Sequence, residues 1–212
     1  MDIGCATGEF LDAIMKKGAW KPFGIEPNNS ARLLCEQKNI DVFSDLIKAN
    51  FPNHHFDVIT LWDVLEHIDN PKEILVEISR IIKIGGLLVI KTPDPYSIEA
   101  KFFKSYWSGL EAPWHLFLFP KPTLEEMLTK NSFSNFYYFE PNIDYQTFFK
   151  SINNFLIEQR LPTIGNIFNF LYNNYPFKLF FNLFLRLMRF FKFNSAITIS
   201  AFKIDKEKYS TH

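Results

Sequence analysis

Two histidines occupy positions where proton-transfer chemistry could take place. His67 follows an apolar run that predicts a buried strand, and His115 lies in an aromatic segment after the next such run. In a parallel sheet both would lie at the carboxyl edge, where such sheets bind ligands. Imidazole titrates near neutral pH, so either side chain could take a proton from a reacting hydroxyl. Each could instead fix its own loop through a hydrogen bond, and both interpretations stay open.

A Gly-Cys-Ala-Thr-Gly segment at 4–8 joins a short predicted strand to a predicted helix. The nucleotide-binding fingerprint Gly-x-Gly-x-x-Gly places a diphosphate at such a turn, but this chain has Gly4, Ala6 and Glu9 there. A carboxylate at Glu9 would repel a diphosphate, which disfavours a nicotinamide-dependent oxidoreductase. Glu26, at the end of the second predicted strand, could accept both hydroxyls of a ribose. A ribose-bearing ligand without phosphate therefore fits better, although a tight turn with a surface carboxylate remains the alternative.

The elements that must position these residues alternate along the first 140 residues. Predicted strands lie at 2–4, 23–26, 40–43, 56–62 and 87–90, and predicted helices at 9–17, 29–37 and 71–83. Strands separated by helices of this length predict parallel pairing through crossovers, and hence a doubly wound α/β sheet. Beyond them we predict an aromatic loop at 95–122, a helix at 123–130, a strand at 133–140 and a final strand at 196–204.

Four blocks in order resemble the class I S-adenosylmethionine-dependent methyltransferases. They read Asp-Ile-Gly-Cys-Ala-Thr-Gly-Glu-Phe-Leu at 2–11, Gly-Ile-Glu-Pro at 24–27, Phe-Asp-Val-Ile-Thr-Leu-Trp-Asp-Val-Leu-Glu-His at 56–67 and Lys-Ile-Gly-Gly-Leu-Leu-Val-Ile at 83–90. The segment 107–125, with its Pro-x-His, is also similar to the family. The resemblance implies a mostly parallel seven-stranded sheet of order 3-2-1-4-5-7-6, with the last strand antiparallel. It also implies S-adenosylmethionine as cofactor and methyl transfer, which we expect to be O-directed, to a small-molecule or lipid-linked acceptor.

The resemblance implies roles at the matching positions. The methionine end of the cofactor is expected at the first loop, the ribose at the end of the second strand and the adenine after the third strand. The cofactor-binding residues implied are Asp2, Gly4, Cys5, Ala6, Gly8, Glu26, Pro27, Asp45, Leu46, Leu61, Trp62 and Asp63. His115 and His67 are the catalytic candidates, and Trp107, Trp114 and Phe117 could either line an apolar substrate pocket or pack the loop.

A divalent cation is a further alternative at the catalytic candidates. Asp63, Glu66 and His67, together with His115, have the composition of a Mg²⁺ or Mn²⁺ site. Some methyltransferases that act on RNA ends or on catechol-like quinone precursors carry a similar Glu-x-x-Glu-His arrangement. Many relatives with a Leu-Glu-His signature have no known need for metal, so we expect none here.

The net charge of zero conceals an asymmetry. Residues 1–158 carry 15 basic and 21 acidic side chains, whereas 159–212 carry 8 and 2. An acidic main body disfavours nucleic acid as a partner. The basic, Phe-rich segment 176–193 has a cationic stripe on a broad apolar face, which is typical of a helix in a membrane interface. The same pattern suits a helix packed inside the protein or in a dimer, and the oligomeric state stays open.

The remaining expectations concern organisation and location. We predict a cofactor-binding core at 1–145, a Phe-rich helical insertion at 146–194, and a final strand with its tail at 195–212. Two cysteines, no secretory signal and no long apolar stretch predict a cytoplasmic protein, with peripheral contact at the inner face of the membrane through 176–193. Met1 directly precedes the Asp of the first motif, so we expect a truncated first strand. An inactive cofactor-fold or membrane-docking pseudo-enzyme is therefore the alternative function.

Overall fold

The computed structural model describes residues 1–139, 145–159 and 195–205. A seven-stranded sheet has the order β3-β2-β1-β4-β5-β7-β6, which confirms the expected topology. Its strands are β1 (Asp2–Ile3), β2 (Phe23–Ile25), β3 (Asp41–Phe43), β4 (Phe56–Trp62), β5 (Ile82–Pro93), β6 (Phe133–Phe139) and β7 (Ala196–Lys203). The α-helices are α1 (Glu9–Met15), α2 (Asn29–Glu36), α3 (Pro71–Ile81), α4 (Ile98–Phe103), α5 (Lys121–Lys130) and α6 (Tyr145–Glu158).

The central strands are parallel and in register. Asp2 of β1 pairs with Gly24 of β2 on one side and with Thr60 of β4 on the other. Buried parallel strands read as continuous apolar runs, and Ile59 and Leu61 of β4 are fully buried. The register brings the carboxyl ends of β1, β2 and β4 to one edge of the sheet.

The last strand runs against its neighbours, as expected. The backbone N–H of Asp94, just beyond β5, donates to the carbonyl of Ser195, just before β7, at 3.0 Å. Likewise the N–H of Ile204, after β7, donates to the carbonyl of Ser132, before β6, at 2.8 Å. In both cases the end of one strand meets the start of the other, which defines antiparallel pairing.

Two predictions in this part of the chain were wrong for local reasons, and a third was correct. The helix predicted to reach 83 ends at Ile81, and β5 begins at Ile82. Phe56 of β4 pairs with Ile82 and Val58 pairs with Leu87, so the register shifts where β5 contains its two glycines. The predicted loop at 95–122 contains α4, whose Ser97 side chain accepts the N–H of Ala100 at 3.0 Å. The helix predicted from 29 does begin at Asn29, and the Asn28 side chain caps it by accepting the N–H of Ala31 at 3.1 Å.

Contacts divide the described residues into two units. The first comprises 1–91, 122–138 and 199–205, and the second comprises 92–121, 139, 145–159 and 195–198. In the first unit a small cluster of Cys5, Leu11, Cys35 and Ile40 packs beneath the loop at 4–8. In the second, Ala100, Phe103 and Trp107 form a cluster to which α6 contributes Phe148 and Ile152.

The predicted insertion falls largely outside the described residues. The segment 160–194, including the Phe-rich stretch at 176–193, is not among them, so the boundaries at 145 and 194 and the membrane-facing helix stay predictions. In the part of the chain that the structure describes, no helix has the length and apolar character needed to cross a membrane.

Candidate functional site

The loop at 4–8 is a tight turn held against the neighbouring strand. The N–H groups of Gly4 and Cys5 both donate to the carbonyl of Ile25, at 2.7 and 3.1 Å. Gly4 has φ +74°, a left-handed conformation that favours glycine. A Cβ added to Gly4 would lie 2.4 Å from Cγ2 of Val64. The turn therefore depends on glycine both for its conformation and for its close approach to Val64.

Glu26 links the end of β2 to this turn. Its Oε2 accepts the N–H of Ala6 at 3.0 Å, and its Oε1 accepts the N–H of Asn28 at 2.8 Å. The Arg32 guanidinium donates to the carbonyls of Glu26 and Pro27, which fixes the backbone that carries the carboxylate. The Glu26 side chain is thus held at the carboxyl edge of the sheet, where a ribose was expected.

A cavity of about 510 Å³ opens above the turn. This volume lies within the range of small-molecule sites, about 300–1,000 Å³. Its walls come from the end of β1, the turn, the start of α1 and the end of β4. The lining residues are Asp2, Gly4, Cys5, Ala6, Thr7, Glu9, Phe10 and Trp62.

The cavity brings together five of the residues predicted for the cofactor and three that lie outside that predicted set. Asp2, Gly4, Cys5, Ala6 and Trp62 were in the predicted set. Thr7, Glu9 and Phe10 were missed, although each directly continues the glycine turn into α1, and that adjacency was the available signal.

Asp2 supplies a buried carboxyl group at the centre of this edge. Its side chain is 3 % exposed, and its Oδ1 accepts the hydroxyl of Thr60 at 2.6 Å. Burial raises the pKa of Asp2 to about 6, partly offset by the hydrogen bond from Thr60. Asp2 is consequently a carboxyl group whose charge changes near neutral pH and depends on what occupies the cavity.

Phe10 and Trp62 form an aromatic wall of the cavity. Their ring centroids are 5.3 Å apart and their planes meet at 67°, an edge-to-face arrangement. Phe10 lies in the first turn of α1 and Trp62 is the last residue of β4, so the pair joins two elements that flank the turn.

The other residues predicted for the cofactor do not line this cavity. Asp45 accepts the N–H of Lys48 at 2.8 Å and so caps a turn after β3, where Leu46 is buried. Asp63 forms an ion pair with Lys91 at 2.5 Å. Leu61 is fully buried in β4, and Pro27 is exposed. A Cβ added to Gly8 would lie 2.7 Å from Cδ1 of Ile40. Their roles toward the cofactor stay predictions.

Cys5 and Cys35 are two free thiols beneath the turn. Their sulfur atoms are 3.9 Å apart, and the Cys35 thiol donates to the carbonyl of Ala6 at 3.1 Å. Burial, with the neighbouring Cys35, raises the pKa of the Cys5 thiol. A thiol that stays protonated is a poor nucleophile, so this pair packs the turn.

His67 lies in the first unit, in a 3₁₀ turn at Leu65–His67 directly after β4. Its backbone N–H donates to the carbonyl of Val64 at 3.0 Å, and its side chain is exposed. The adjacent Glu66 is fully buried. The structure thus places His67 at the carboxyl end of β4, as the sequence predicted.

His115 lies in the second unit, where its imidazole is 7 % exposed. Nδ1 is 2.7 Å from the carbonyl oxygen of Gly109, and Nε2 is 3.7 Å from Oε2 of Glu111. A carbonyl can only accept, so Nδ1 must carry a proton, and neutral His115 then has an unprotonated Nε2. This tautomer is the one in which Nε2 can act as a base. Nearby, Trp107 is buried and packs the loop, whereas Trp114 and Phe117 are exposed.

Fold and cavity together define a doubly wound α/β protein with a cofactor-type turn after its first strand. The sequence model of the methyltransferase domain family matches residues 1–137. The chain therefore belongs to this family, within the class I S-adenosylmethionine-dependent methyltransferases.

Several curated relatives are ubiquinone biosynthesis O-methyltransferases. The mitochondrial protein of Dictyostelium discoideum is 27% identical over 135 residues, which are 55% of this chain and 40% of that protein. The protein of Colwellia psychrerythraea is 30% identical over 113 residues, 50% of this chain and 44% of that protein. The chain thus spans less than half the length of these relatives in the matches.

Solved structures share the fold. A S-adenosylmethionine-dependent methyltransferase from Archaeoglobus fulgidus superposes with a TM-score of 0.63 at 21% identity, covering 95% of this chain and 84% of that one. A possible histamine N-methyltransferase from Thermotoga maritima gives a TM-score of 0.62 at 15% identity, covering 95% and 80%. At sequence identities this low, the similarity shows a shared fold and nothing more about this chain.

Proposed function

We propose that the protein transfers the methyl group of S-adenosylmethionine to a hydroxyl oxygen of a small-molecule or lipid-linked acceptor. The observation that carries this proposal is the cavity above the glycine turn, with its acidic and aromatic lining. The membership of the methyltransferase domain family supports the reaction class. The O-methyltransferase names of the curated relatives support oxygen as the atom methylated and a lipid-linked acceptor.

The chemistry of the lining fits this cofactor. Asp2 and Glu9 lie in the walls, and among the described residues no Lys, Arg or His lines them. Such a cavity is unfavourable for a diphosphate and favourable for a ligand with cationic groups. At about 510 Å³ it has room for the amino-acid arm of such a ligand.

We propose an assignment of the residues that would hold the cofactor, and contacts at Glu26 and Asp2 support part of it. The Glu26 carboxylate has one backbone N–H on each oxygen, and an ionised carboxylate has about four acceptor positions. Two positions thus stay available for the hydroxyls of a ribose. Asp2, ionised above its pKa of about 6, would accept hydrogen bonds from the ammonium group. Asp45 and Leu46 are proposed at the adenine, and Leu61 and Asp63 beside the amino-acid end.

The protein's own part in the reaction is positioning and proton transfer. When bound, S-adenosylmethionine supplies a methyl group activated by a sulfonium. The turn at 4–8 fixes the backbone on which the ligand rests, since Gly4 and Cys5 are tied to Ile25. We assign His115 the role of base, because Nδ1 carries its proton toward the carbonyl of Gly109 and Nε2 is then the unprotonated nitrogen of the neutral ring. His67 is the second candidate for this role.

The acceptor class is tested with paired probes. The full chain is incubated with methyl-labelled S-adenosylmethionine and either catechol or a prenylated catechol in detergent. We expect label in the catechols together with one equivalent of S-adenosylhomocysteine. Dimethoxybenzene, which lacks the hydroxyls, should stay unlabelled. Phenethylamine is the nitrogen acceptor, and label there with none in the catechols would overturn the O-directed assignment.

The same assay separates the enzyme from a pseudo-enzyme. If the chain binds S-adenosylmethionine but labels none of the acceptors and forms no S-adenosylhomocysteine, the inactive cofactor-fold alternative is favoured. If sedimentation with anionic vesicles also occurs, that outcome favours the membrane-docking form of the alternative. Label in the prenylated catechol above that in catechol would support a lipid-linked acceptor.

A further inference from the structure

One ring nitrogen of His115 is held by a backbone carbonyl. Nδ1 lies 2.7 Å from the carbonyl oxygen of Gly109, which belongs to the 3₁₀ turn at Ser108–Leu110. A Cβ added to Gly109 would lie 2.2 Å from Cζ2 of Trp107, so the buried indole packs directly against the backbone of Gly109. The position of this turn therefore decides where the acceptor for Nδ1 lies.

Helix α6 holds the turn through the residue that precedes Gly109. The fully buried Ser151 accepts the backbone N–H of Ser108 with its Oγ at 2.9 Å. The hydroxyl of Ser108 in turn donates to the carbonyl of Thr147, one helical turn before Ser151, at 2.9 Å. Both the backbone and the side chain of Ser108 are thus tied to α6, and these bonds fix the adjacent Gly109.

The hydroxyl of Ser151 is itself held by hydrogen bonds. It can donate its proton to Oε1 of the fully buried Glu99 at 3.1 Å or to the carbonyl of Thr147 at 2.9 Å. A hydroxyl has one proton and two acceptor lone pairs, so either arrangement leaves a lone pair for the N–H of Ser108. An alanine at position 151 would remove that acceptor and leave a buried N–H without it.

The residue before Ser151 reaches the other ring nitrogen of His115 through a carboxylate. Nζ of Lys150 donates to Oε1 of Glu111, and Oε2 of Glu111 lies 3.7 Å from Nε2 of His115. The side chains of Lys150 and Glu111 are 52 % and 36 % exposed, so this ion pair is the weaker restraint. Two consecutive residues of α6 therefore hold a partner of each ring nitrogen.

We infer that Ser151 and Lys150 are positioning residues for His115. Ser151 keeps the proton of the neutral ring on Nδ1 by fixing the Gly109 carbonyl, and Lys150 keeps Glu111 beside Nε2. Without a fixed acceptor at Nδ1 the ring populates both neutral tautomers, and the one protonated at Nε2 cannot take a proton there. This inference rests on the proposed function, in which Nε2 of His115 takes the hydroxyl proton of the acceptor.

Nitrogen-15 NMR of the full chain reads the tautomer without any turnover. The chain has five histidines, and the signals of His115 are those lost in His115→Gln. Above the titration range of imidazole, the native chain should show a protonated Nδ1 and an unprotonated Nε2. In Ser151→Ala the shifts of both nitrogens should move toward each other, as expected for mixed tautomers. An unchanged pattern in Ser151→Ala overturns the inference.

The rate of catechol methylation gives the second measurement. Ser151→Ala should lower kcat about 10- to 100-fold, the scale for a small misplacement of a reacting group, with the KM for S-adenosylmethionine and for catechol unchanged. Lys150→Met should lower kcat about 2- to 5-fold, because it removes only an exposed ion pair. A shifted tautomer with native kcat in Ser151→Ala overturns the positioning role, and native kcat in Lys150→Met overturns the part assigned to Lys150.

Asn154→Ala is the matched control on the same helix. The Asn154 side chain donates to the carbonyl of Tyr106 at 3.2 Å, so the variant loosens α6 without removing a bond to Ser108 or Glu111. We expect lower stability with the native tautomer and the native kcat. Equal effects in Asn154→Ala and Ser151→Ala would overturn the inference, since docking of α6 as a whole would then account for both.

Ser151→Cys replaces Ser151→Ala if the alanine variant does not fold. A thiol is close in size to the hydroxyl and accepts hydrogen bonds only weakly. The tautomer and kcat should change in the same direction by a smaller amount, and native values of both would overturn the inference.

The measurements also separate this inference from the function on which it rests. If the native chain methylates none of the acceptors, the proposed function fails, and the NMR comparison still decides whether Ser151 orients the ring. If His115→Gln keeps the native kcat, the chain is a methyltransferase whose base lies elsewhere, and the positioning role is overturned.

Discussion

The Glu26 carboxylate accepts the backbone N–H of Ala6 at 3.0 Å. Glu26 directly follows β2, so it holds the turn at 4–8 that follows the neighbouring strand β1. Its second oxygen is occupied by the N–H of Asn28 at 2.8 Å. Glu26 therefore shapes the turn in addition to presenting acceptors for ribose hydroxyls. A substitution of Glu26 should therefore weaken ligand binding both by disturbing the turn and by removing acceptors for the ribose.

Glu26→Gln should weaken S-adenosylmethionine binding by about 1.5–3 kcal/mol, the scale for hydrogen bonds to charged groups. An amide has one acceptor and one donor end, so it can satisfy only one of the two N–H groups that Glu26 now holds. Calorimetric titration measures the loss. Glu36→Gln, an exposed carboxylate of α2, is the control for removal of a negative charge. Equal affinity in the native chain and Glu26→Gln would remove Glu26 from the site.

Gly4→Ala should cost more stability than Gly85→Ala, although both glycines have nearly the same backbone conformation, φ +74° and φ +77°. A left-handed conformation costs an L residue about 1–2 kcal/mol. A Cβ on Gly85 meets nothing within 4 Å, whereas one on Gly4 lies 2.4 Å from Cγ2 of Val64. Overpacking of this kind adds about 1–3 kcal/mol. Urea unfolding measures the difference, and equal losses would mean that Val64 moves aside freely.

The order of the sheet could be predicted because the buried strands and the helices between them are encoded locally. Pro71 at the first turn of α3 and the buried residues 59–61 of β4 illustrate this. Helix α4 was missed because the aromatic residues around it masked its Ser97 cap, which accepts from Ala100.

The site was less predictable because its contacts join residues far apart in sequence. Nothing local to Asp63 indicates that Lys91, 28 residues later, forms an ion pair with it. Nothing local to Phe10 indicates that Trp62 completes a ring pair with it. Such partners meet only in the folded chain, so they could not be predicted. The glycine turn and the position of the Glu26 carboxylate could be predicted, because each belongs to a short sequence motif.

Stability should fall as pH rises from about 4 to about 6 through Asp2. Burial raises the native pKa of Asp2 to about 6 from an ordinary value of 3.8. Between these values the native state binds more protons than the unfolded state, so the free energy of unfolding decreases with pH. The decrease is of the order of 2–3 kcal/mol.

Asp2→Asn isolates this contribution, because an amide oxygen can still accept the hydroxyl of Thr60. Urea unfolding from pH 4 to pH 7 should show a smaller loss in the variant than in the native chain. Parallel curves for the two proteins would show that Asp2 titrates at its ordinary pKa.

His115→Gln should reduce turnover about 10²- to 10⁴-fold, the usual contribution of a general base, with S-adenosylmethionine affinity preserved. Initial rates and calorimetry on the same preparation measure the two effects. Surviving turnover with lowered stability would instead show that the contact of His115 with Gly109 only fixes the loop. Loss of activity on chelation, restored by Mg²⁺ or Mn²⁺, would favour the cation interpretation of Asp63, Glu66 and His67.

A crystal structure with S-adenosylhomocysteine tests the central claim most directly. The account predicts the ribose hydroxyls within hydrogen-bond distance of the Glu26 carboxylate. It also predicts the amino-acid arm beside Asp2 and Gly4, within the cavity that Phe10 and Trp62 help to line. Density for the ligand at any other place, with this cavity filled only by water, would contradict the account.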